Sequence, residues 1–150
     1  MKKMVAVVFL MLACLAFSQD FRSVTWGMSV AEVIQIEGED FIYKDTTDSL
    51  FYERFLLDHP CLLVYLFYED ELYYGSYRFE KADLYDRLGR ALTEKYGEPT
   101  YPPNTWEIGE RTLISVGMDS SSTVLTYSDT QFQFPEDIYK EEKKRDAEEL

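Results

Sequence analysis

Residues 21–40 read FRSVTWGMSVAEVIQIEGED and carry the clearest local signal in the chain. Ser29 and Glu32 have the spacing of a capping box, in which each side chain accepts a hydrogen bond from the other residue's backbone N–H. Gly38 suits the left-handed position that ends a helix. An apolar stripe recurs at helical spacing, formed by Val30, Val33 and Ile34. These signals predict a helix over residues 29–37, which is too short to be stable without packing against other elements.

Beyond Gly38 the apolar residues follow the alternation that is typical of strands. A second helix is predicted over residues 83–96, where apolar residues return to helical spacing. Residues 61–68, CLLVYLFY, are apolar throughout, which indicates a central strand covered at least in part on both sides. We therefore expect an α+β fold, an antiparallel sheet with two helices packed on one face. The expected strands cover residues 41–43, 50–57, 61–68, 72–79, 105–108, 111–117 and 123–127.

Aromatic residues make up 16% of the chain and are expected to fill the core, because each of them buries a large area. Phe21 and Trp26 are expected to anchor the first helix on the sheet. Gly75 lies within a predicted strand and indicates a point where another group approaches closely. Five strand residues are expected to face the helices: Tyr65, Phe67, Tyr73, Tyr77 and Phe79.

The amino terminus has the pattern of a signal peptide. Two lysines precede an apolar run over residues 4–16, which is too short to span a bilayer comfortably. Small residues at the end of residues 1–18 predict cleavage before Gln19 and export to the periplasm or the medium. The alternatives are a lipid anchor at Cys14, whose preceding residues fit such a site less well, and an uncleaved membrane anchor.

The carboxyl terminus is also distinct from the rest of the chain. Residues 135–150, PEDIYKEEKKRDAEEL, are densely charged and have no apolar face. This composition predicts a solvent-exposed helical or disordered tail. Residues 19–134 are then expected to form a single α+β domain, which is an ordinary size for one core.

The chain is strongly acidic, with a formal net charge of −13. Removal of the two lysines in residues 1–18 changes that charge to −15. Nucleic-acid binding needs a basic surface that neutralises phosphates, so a nucleic-acid partner is not expected. Adsorption to anionic lipid is disfavoured for the same reason.

The run FRSVTWGMS at residues 21–29, followed by Glu32 and Val33, resembles the helix start of the SmpA/OmlA outer-membrane assembly lipoproteins and of the β-lactamase-inhibitor-like fold. The run LGRALTEKYGEP at residues 88–99, with Trp106, is similar to a motif of many secreted proteins. The resemblance covers about thirty of the 150 residues and is a fold-level analogy. It implies helices on one face of an antiparallel sheet, and protein binding rather than catalysis. The chain departs from the lipoproteins at the lipid cysteine and lacks the cysteine pairs of the inhibitor proteins.

Residues that could support chemistry are few. His59 and Cys61 flank a proline, and Cys61 begins an apolar strand, so we expect a buried inert thiol rather than a nucleophile. One histidine and one mature cysteine cannot supply a zinc site. Acidic clusters lack the spacing of a calcium-binding loop and are expected to be solvated turns: residues 37–40, 45–48 and 69–71. We therefore expect neither an enzyme nor a cofactor.

The chain contains twelve tyrosines, a residue type that is enriched at interfaces. If one face of the sheet is uncovered, Tyr52, Tyr68 and Tyr74 are the expected binding surface. The sequence therefore predicts a non-catalytic exported protein that binds another envelope or secreted protein. The alternative is a small-ligand-binding protein with an aromatic-lined cleft.

Overall fold

The computed structural model describes residues 21–45 and 48–135. The predicted signal peptide over residues 1–18 lies outside these residues, and so does the predicted charged tail over residues 135–150 apart from Pro135. Within them the chain forms one seven-stranded sheet and two α-helices, so the predicted α+β class with an antiparallel sheet is confirmed.

The elements follow the predicted order, and their ends lie within two residues of the predicted ones. The sheet has the strand order β1-β2-β3-β4-β7-β6-β5, and every neighbouring pair is antiparallel. The helices and strands are α1 (Val30–Glu37), β1 (Tyr43–Asp45), β2 (Ser49–Leu56), β3 (His59–Tyr68), β4 (Glu71–Phe79), α2 (Tyr85–Tyr96), β5 (Thr105–Ile108), β6 (Thr112–Met118) and β7 (Thr123–Asp129).

Both helices pack on the same face of the sheet, which we call the covered face; the other is the open face. Alternate residues of each strand point to the covered face and join the helices in one hydrophobic core. The largest fully buried side chains of this core include Trp106, Tyr52, Tyr65, Phe21 and Phe79. Within the described residues, neither helix has the length and apolar character needed to cross a membrane.

Helix α1 begins and ends as its sequence predicts. The capping box is complete, because Ser29 N–H donates to Glu32 Oε2 at 2.9 Å and Glu32 N–H donates to Ser29 Oγ at 3.2 Å. Gly38 ends the helix with φ 106°, a value that side chains disfavour. The segment before the cap pairs with Leu72, whose N–H donates to Met28 O at 2.9 Å. Both packing and capping therefore hold this short helix in place.

Phe21 and Trp26 are buried, as predicted for anchors of α1. The Phe21 ring lies directly on Gly75, where a Cβ atom would lie 2.1 Å from Phe21 Cε1. The predicted close approach at Gly75 is therefore confirmed, and the approaching group is this ring. Trp26 Nε1–H donates to Thr112 Oγ1 at 3.0 Å, which ties the segment before α1 to β6.

Helix α2 follows a 3₁₀ turn at Ala82–Leu84 and buries Leu88 and Leu92. Gly89 provides room for the Asn104 side chain, since a Cβ atom there would lie 2.8 Å from Asn104 Oδ1. This contact accounts for a glycine inside a helix, where it is otherwise unfavourable.

Two details of the sheet differ from the sequence prediction. The turn between β2 and β3 consists of Leu57 and Asp58, both with positive φ, and β3 begins at His59 rather than at the predicted residue 61, so Pro60 lies inside the strand. Pro60 is tolerated there because β4 pairs with β3 only from Leu62 onward, so one side of Pro60 has no neighbouring strand.

A β-bulge in β4 overturns a second prediction. The register of β3 with β4 shifts between Leu66 and Phe67, whose partners are Tyr74 and Leu72. Tyr73 is therefore the extra residue, and its side chain lies on the open face instead of facing the helices. Strict alternation from Tyr77 assigns Tyr73 to the covered face. The inserted residue reverses the alternation beyond it, so that assignment is wrong.

Candidate functional site

The open face has two halves of different chemistry. In the β5–β7 half the outward residues are mostly small and polar, although Leu113 and Val124 are apolar exceptions. Ser115 and Thr126, for example, share a hydrogen bond of 2.7 Å between their hydroxyl oxygens. In the β1–β3 half most of the outward residues are apolar, and six of them form what we call the apolar strip: Tyr43, Phe51, Phe55, Leu62, Val64 and Leu66.

The apolar strip follows from the pairing register of three strands. Phe51 lies opposite both Tyr43 of β1 and Val64 of β3. The Tyr43 and Phe51 rings meet edge to face with centroids 5.3 Å apart. Phe55 is 75% exposed and Tyr43 is 54% exposed. Glu53, between Phe51 and Phe55 on the same face, is the charged residue that interrupts the strip.

At one end of the open face the chain packs across its own sheet. Residues 130–135, which we call the strap, leave β7 and cross over β4 to β3. The Phe132 ring stacks on Tyr73 with centroids 4.3 Å apart and an interplanar angle of 18°. The Phe134 ring meets Tyr73 and Tyr68 edge to face, at 5.3 and 5.7 Å. Tyr68 and Tyr73 thus form an aromatic groove that the strap occupies.

A buried carboxylate fixes the point where the strap begins. The Asp129 side chain is 5% exposed and accepts two hydrogen bonds from Arg111, from Nε at 2.9 Å and from Nη2 at 2.8 Å. It also accepts the N–H of Gln131 at 3.0 Å, and Phe132 N–H donates to Asp129 O at 3.2 Å. A charge-assisted pair with two parallel hydrogen bonds is a strong and directional anchor. The direction of the strap is therefore set by the end of β7.

The structure corrects one of the three tyrosines predicted as a binding surface. Tyr52 is fully buried on the covered face, and its hydroxyl donates to Gly38 O at 3.0 Å. Its outward neighbours in β2 are Phe51 and Glu53. Strand β2 has aromatic residues on both of its faces, so its sequence does not reveal which of the two faces is turned toward the core.

Tyr68 and Tyr74 do lie on the open face, and both are half-buried. The Tyr68 ring contacts the strap, and Tyr74 lies next to Tyr73 with ring centroids 6.5 Å apart. Burial raises the pKa of the Tyr73 phenol, and the neighbouring Tyr74 adds to this effect. The structure thus brings two of the predicted residues together at one end of the sheet.

Sequence reasoning missed Phe132 and Phe134 as members of this surface. Their alternation around the exposed Gln133 is a strand-like signal that follows the last predicted strand. Tyr73 was missed because a bulge leaves no reliable mark in a single sequence. A segment of alternating aromatic residues after the last strand was the available signal.

A polar network of titratable side chains lies between the covered face of the sheet and the end of α1. Glu37, with a side chain 5% exposed, pairs with Arg22 at 2.7 Å and accepts a hydrogen bond from the Tyr65 hydroxyl. Arg22 also donates to the Tyr77 hydroxyl at 2.8 Å. The pKa of Arg22 is raised although burial opposes its charge, because Tyr77 and Glu37 stabilise the cation. This network joins the chain before α1 to the end of that helix and to two strands.

Cys61 is buried, as predicted. Its thiol donates to Arg54 O at 3.4 Å, and burial raises the pKa of this thiol. His59 Nε2 lies 3.1 Å from Arg87 Nη1 and must accept there, because a guanidinium has no acceptor. These contacts disfavour a thiolate at Cys61, which is the form that attacks.

Two cavities are lined in large part by charged side chains. One of about 720 Å³ lies at the end of the β2–β3 hairpin. Its lining includes Phe55 and Leu62 of the apolar strip together with five charged side chains: Glu53, Arg54, Arg78, Glu80 and Lys81. A groove of about 420 Å³ beside α2 is lined by Gly89 and Asn104 together with charged and polar residues of the helix. The small-ligand alternative predicts a cleft lined chiefly by aromatic rings, and neither of these cavities has such a lining.

The acidic clusters act as structural partners where the structure describes them. Asp40 pairs with Arg54 at 2.9 Å, and this hydrogen bond lowers the pKa of the Asp40 carboxyl. Asp70 accepts the N–H of Val30 at 2.9 Å, at the start of α1. Among residues 21–45 and 48–135, no group of three His, Cys, Asp or Glu side chains is arranged to hold a metal ion.

Comparisons with known proteins gave no match: no family model, no curated protein and no solved structure matches this chain. The resemblance to the outer-membrane assembly lipoproteins and to the β-lactamase-inhibitor-like fold therefore stays a prediction.

Proposed function

We propose that this chain is an exported, non-catalytic bacterial protein that binds another envelope or secreted protein through the open face of its sheet. The observation that carries the proposal is the apolar strip. Its six residues lie at neighbouring outward positions of β1, β2 and β3 apart from the break at Glu53, and two of them, Phe55 and Tyr43, are 75% and 54% exposed. Contiguous exposed apolar surface on a globular domain is typical of a protein interaction site.

The position of the strip adds to this support. Residues Leu66 and Tyr68 are alternate residues of β3, so the strip continues into the aromatic groove on the same face. Aromatic side chains contribute large contact areas at interfaces with little loss of conformational entropy. Phe55 and Leu62 also line the larger cavity, but the strip and the groove extend beyond it along the face of the sheet, which suits a protein partner better than a small molecule.

The proposal includes no catalytic step, for reasons of local chemistry. The Cys61 thiol is engaged with a backbone carbonyl and its pKa is raised, whereas a nucleophilic cysteine needs a lowered pKa. The small-ligand alternative has less support, since Phe55 and Phe79 supply the only phenyl rings among the residues that line the larger cavity, and five of those residues are charged.

Site-specific photo-crosslinking in the producing bacterium tests the partner. Phe55 is replaced by benzoylphenylalanine, and Glu107, an exposed residue on the polar half of the same face, is replaced in a matched control. We expect a crosslinked product of defined mass at position 55 and none at position 107. Val64→Lys, which adds a charge beside Phe51, should abolish the product. Equal products at both positions, or none at position 55, would contradict the proposal.

Export is tested separately by the mass of the mature protein. Cleavage before Gln19 predicts an amino terminus at that residue. A diacylglycerol-modified Cys14 would replace this interpretation with a lipid-anchored protein. A full-length chain in the cytoplasm would overturn export.

A further inference from the structure

The strap is a segment of this chain that already occupies part of the open face. It is not a strand of the sheet, yet its two phenylalanines sit at alternate positions, half-buried, while Gln131 and Gln133 before and between them are exposed. The Phe132 and Phe134 rings also contact each other, with centroids 4.9 Å apart. The groove therefore receives side chains from only one side of an extended segment.

The bulge at Tyr73 gives this groove its shape. Without the inserted residue, the side chain that precedes Tyr74 would point to the covered face. With it, Tyr73 stacks flat against Phe132 while Tyr68 flanks both phenylalanines, at 5.8 Å from Phe132 and 5.7 Å from Phe134. A bulge that aims one side chain out of the alternation is typical of functional positions in sheets.

We infer that the aromatic groove is a binding site for an extended segment of a partner protein with aromatic residues at alternate positions, and that the strap is the internal occupant which this segment displaces. This inference rests on the proposed function, because it names the kind of partner that the open face takes. The strap shows which side chains the groove accepts and at what spacing. The neighbouring apolar strip, which begins at Leu66 two residues before Tyr68 in β3, is where a longer partner segment would continue.

The attachment of the strap supports a displaceable contact. The strap is anchored where it leaves β7, because Asp129 holds its turn through Arg111 and Gln131. Displacement of Phe132 and Phe134 leaves that anchor and the β7 pairing intact. A segment attached through a short connection has an effective concentration on the order of millimolar, so the strap should weaken binding of a competing peptide without preventing it.

The test uses the full chain and a labelled peptide with the sequence of residues 130–135, TQFQFP, as the probe. The double variant Phe132→Ser with Phe134→Ser removes the rings of the strap and keeps its anchor. Fluorescence anisotropy should show the peptide binding to the double variant, and binding about tenfold weaker to the unmodified chain because of the tethered competitor. A peptide with both phenylalanines replaced by serine should not bind to either chain.

Two further substitutions in the double variant locate the peptide. Tyr73→Ser should abolish binding, and Tyr68→Leu should weaken it at least about fivefold, because one edge-to-face partner of each ring is lost. Circular dichroism verifies that each variant is folded, and Tyr68→Leu keeps the test decisive if Tyr73→Ser fails to fold. A folded double variant that does not bind the peptide would overturn the inference. Equal affinity for the unmodified chain would also overturn it, because the strap would then not compete for the site.

Sedimentation of the unmodified chain distinguishes a second copy from a different partner. A monomer supports the inference, whereas a dimer that is lost in the double variant would assign the groove to the strap of a second copy. A crosslinked partner at position 55 without peptide binding at Tyr73 would preserve the proposed function and overturn this inference. Peptide binding without any crosslinked partner would contradict the proposed function, although it would show that the groove accepts a segment of this kind.

Discussion

Both faces of this sheet carry aromatic residues, but the surroundings of these residues differ between the two faces. On the covered face, the buried rings have polar partners as well as apolar neighbours: Trp106 Nε1–H donates to Gly97 O at 2.9 Å and Tyr52 donates to Gly38 O at 3.0 Å. On the open face, Phe51 and Phe55 remain accessible at one end, and the strap covers the groove at the other. Among the described residues, no buried side-chain nitrogen or oxygen lacks a hydrogen-bond partner.

The difference teaches that aromatic content alone does not distinguish core from interaction surface. A face becomes core when helices cover it and when each buried polar tip finds a partner, because an unpaired buried polar group is costly. The open face meets neither condition along the apolar strip. Substitutions on the two faces should therefore affect different properties, stability on one and binding on the other.

Two glycines on opposite faces give the largest expected contrast. Gly75→Ala places a Cβ atom against the buried Phe21 ring and should lower the free energy of unfolding by about 1–3 kcal/mol through overpacking. Gly117 lies on the open face of β6, with no atom within 4 Å of the position that a Cβ would take, so Gly117→Ala should be neutral or slightly stabilising. Urea denaturation of both variants measures the difference. Equal losses would show that the two faces are packed alike.

Alkaline pH should weaken the covered face through Tyr65. Burial, and then the hydrogen bond to Glu37, raise the pKa of this phenol, while an unfolded tyrosine ionises near pH 10. The contribution of Tyr65 to stability is fully present below about pH 10. Above that pH the unfolded chain loses the proton and the folded chain keeps it, so stability falls by up to ~1.4 kcal/mol per pH unit.

Denaturation midpoints at pH 9 and pH 11 measure this effect, and Tyr65→Phe should reduce the dependence on pH. Glu37 keeps its pair with Arg22 in that variant, so the fold should persist. An unchanged dependence would mean that Tyr65 ionises alike in the folded and unfolded chains.

The capping box of α1 should have an intermediate effect. Ser29→Ala removes the acceptor for the Glu32 N–H and should cost about 1 kcal/mol of stability, whereas Ser29→Thr keeps a cap and should cost less. Chemical denaturation of the two variants provides the measurement. A midpoint that Ser29→Ala leaves unchanged would mean that packing against the sheet alone determines where α1 begins.

The smallest effect on stability is expected at Phe55, on the apolar strip. Phe55→Ser removes a side chain that is 75% exposed and should change the free energy of unfolding by less than about 0.5 kcal/mol. Leu63→Ser in the adjacent strand, on the covered face, is the matched comparison and should be strongly destabilising because Leu63 is fully buried. A large loss of stability in Phe55→Ser would show that the strip is part of the core.

The sequence alone determined the elements and their order. The cap at Ser29, the glycines at positions 38 and 75 and the periodicity of the strands are local signals, because each depends on backbone geometry or on neighbours a few residues away. They located both helices and all the described strands, and they identified Phe21 and Trp26 as anchors. The α+β class followed from the same patterns.

Only the tertiary structure decided which face each aromatic residue occupies. Strand β2 has aromatic residues on both of its faces, so the burial of Tyr52 depends on helix α1 and Gly38, which pack over that side of the strand. Tyr73 changes face because of one inserted residue in β4, and Phe132 finds Tyr73 only because the Asp129–Arg111 pair turns the chain across the sheet. These are contacts between residues far apart in the chain. The alternation of side chains along a strand separates two faces but does not show which of them other elements will cover.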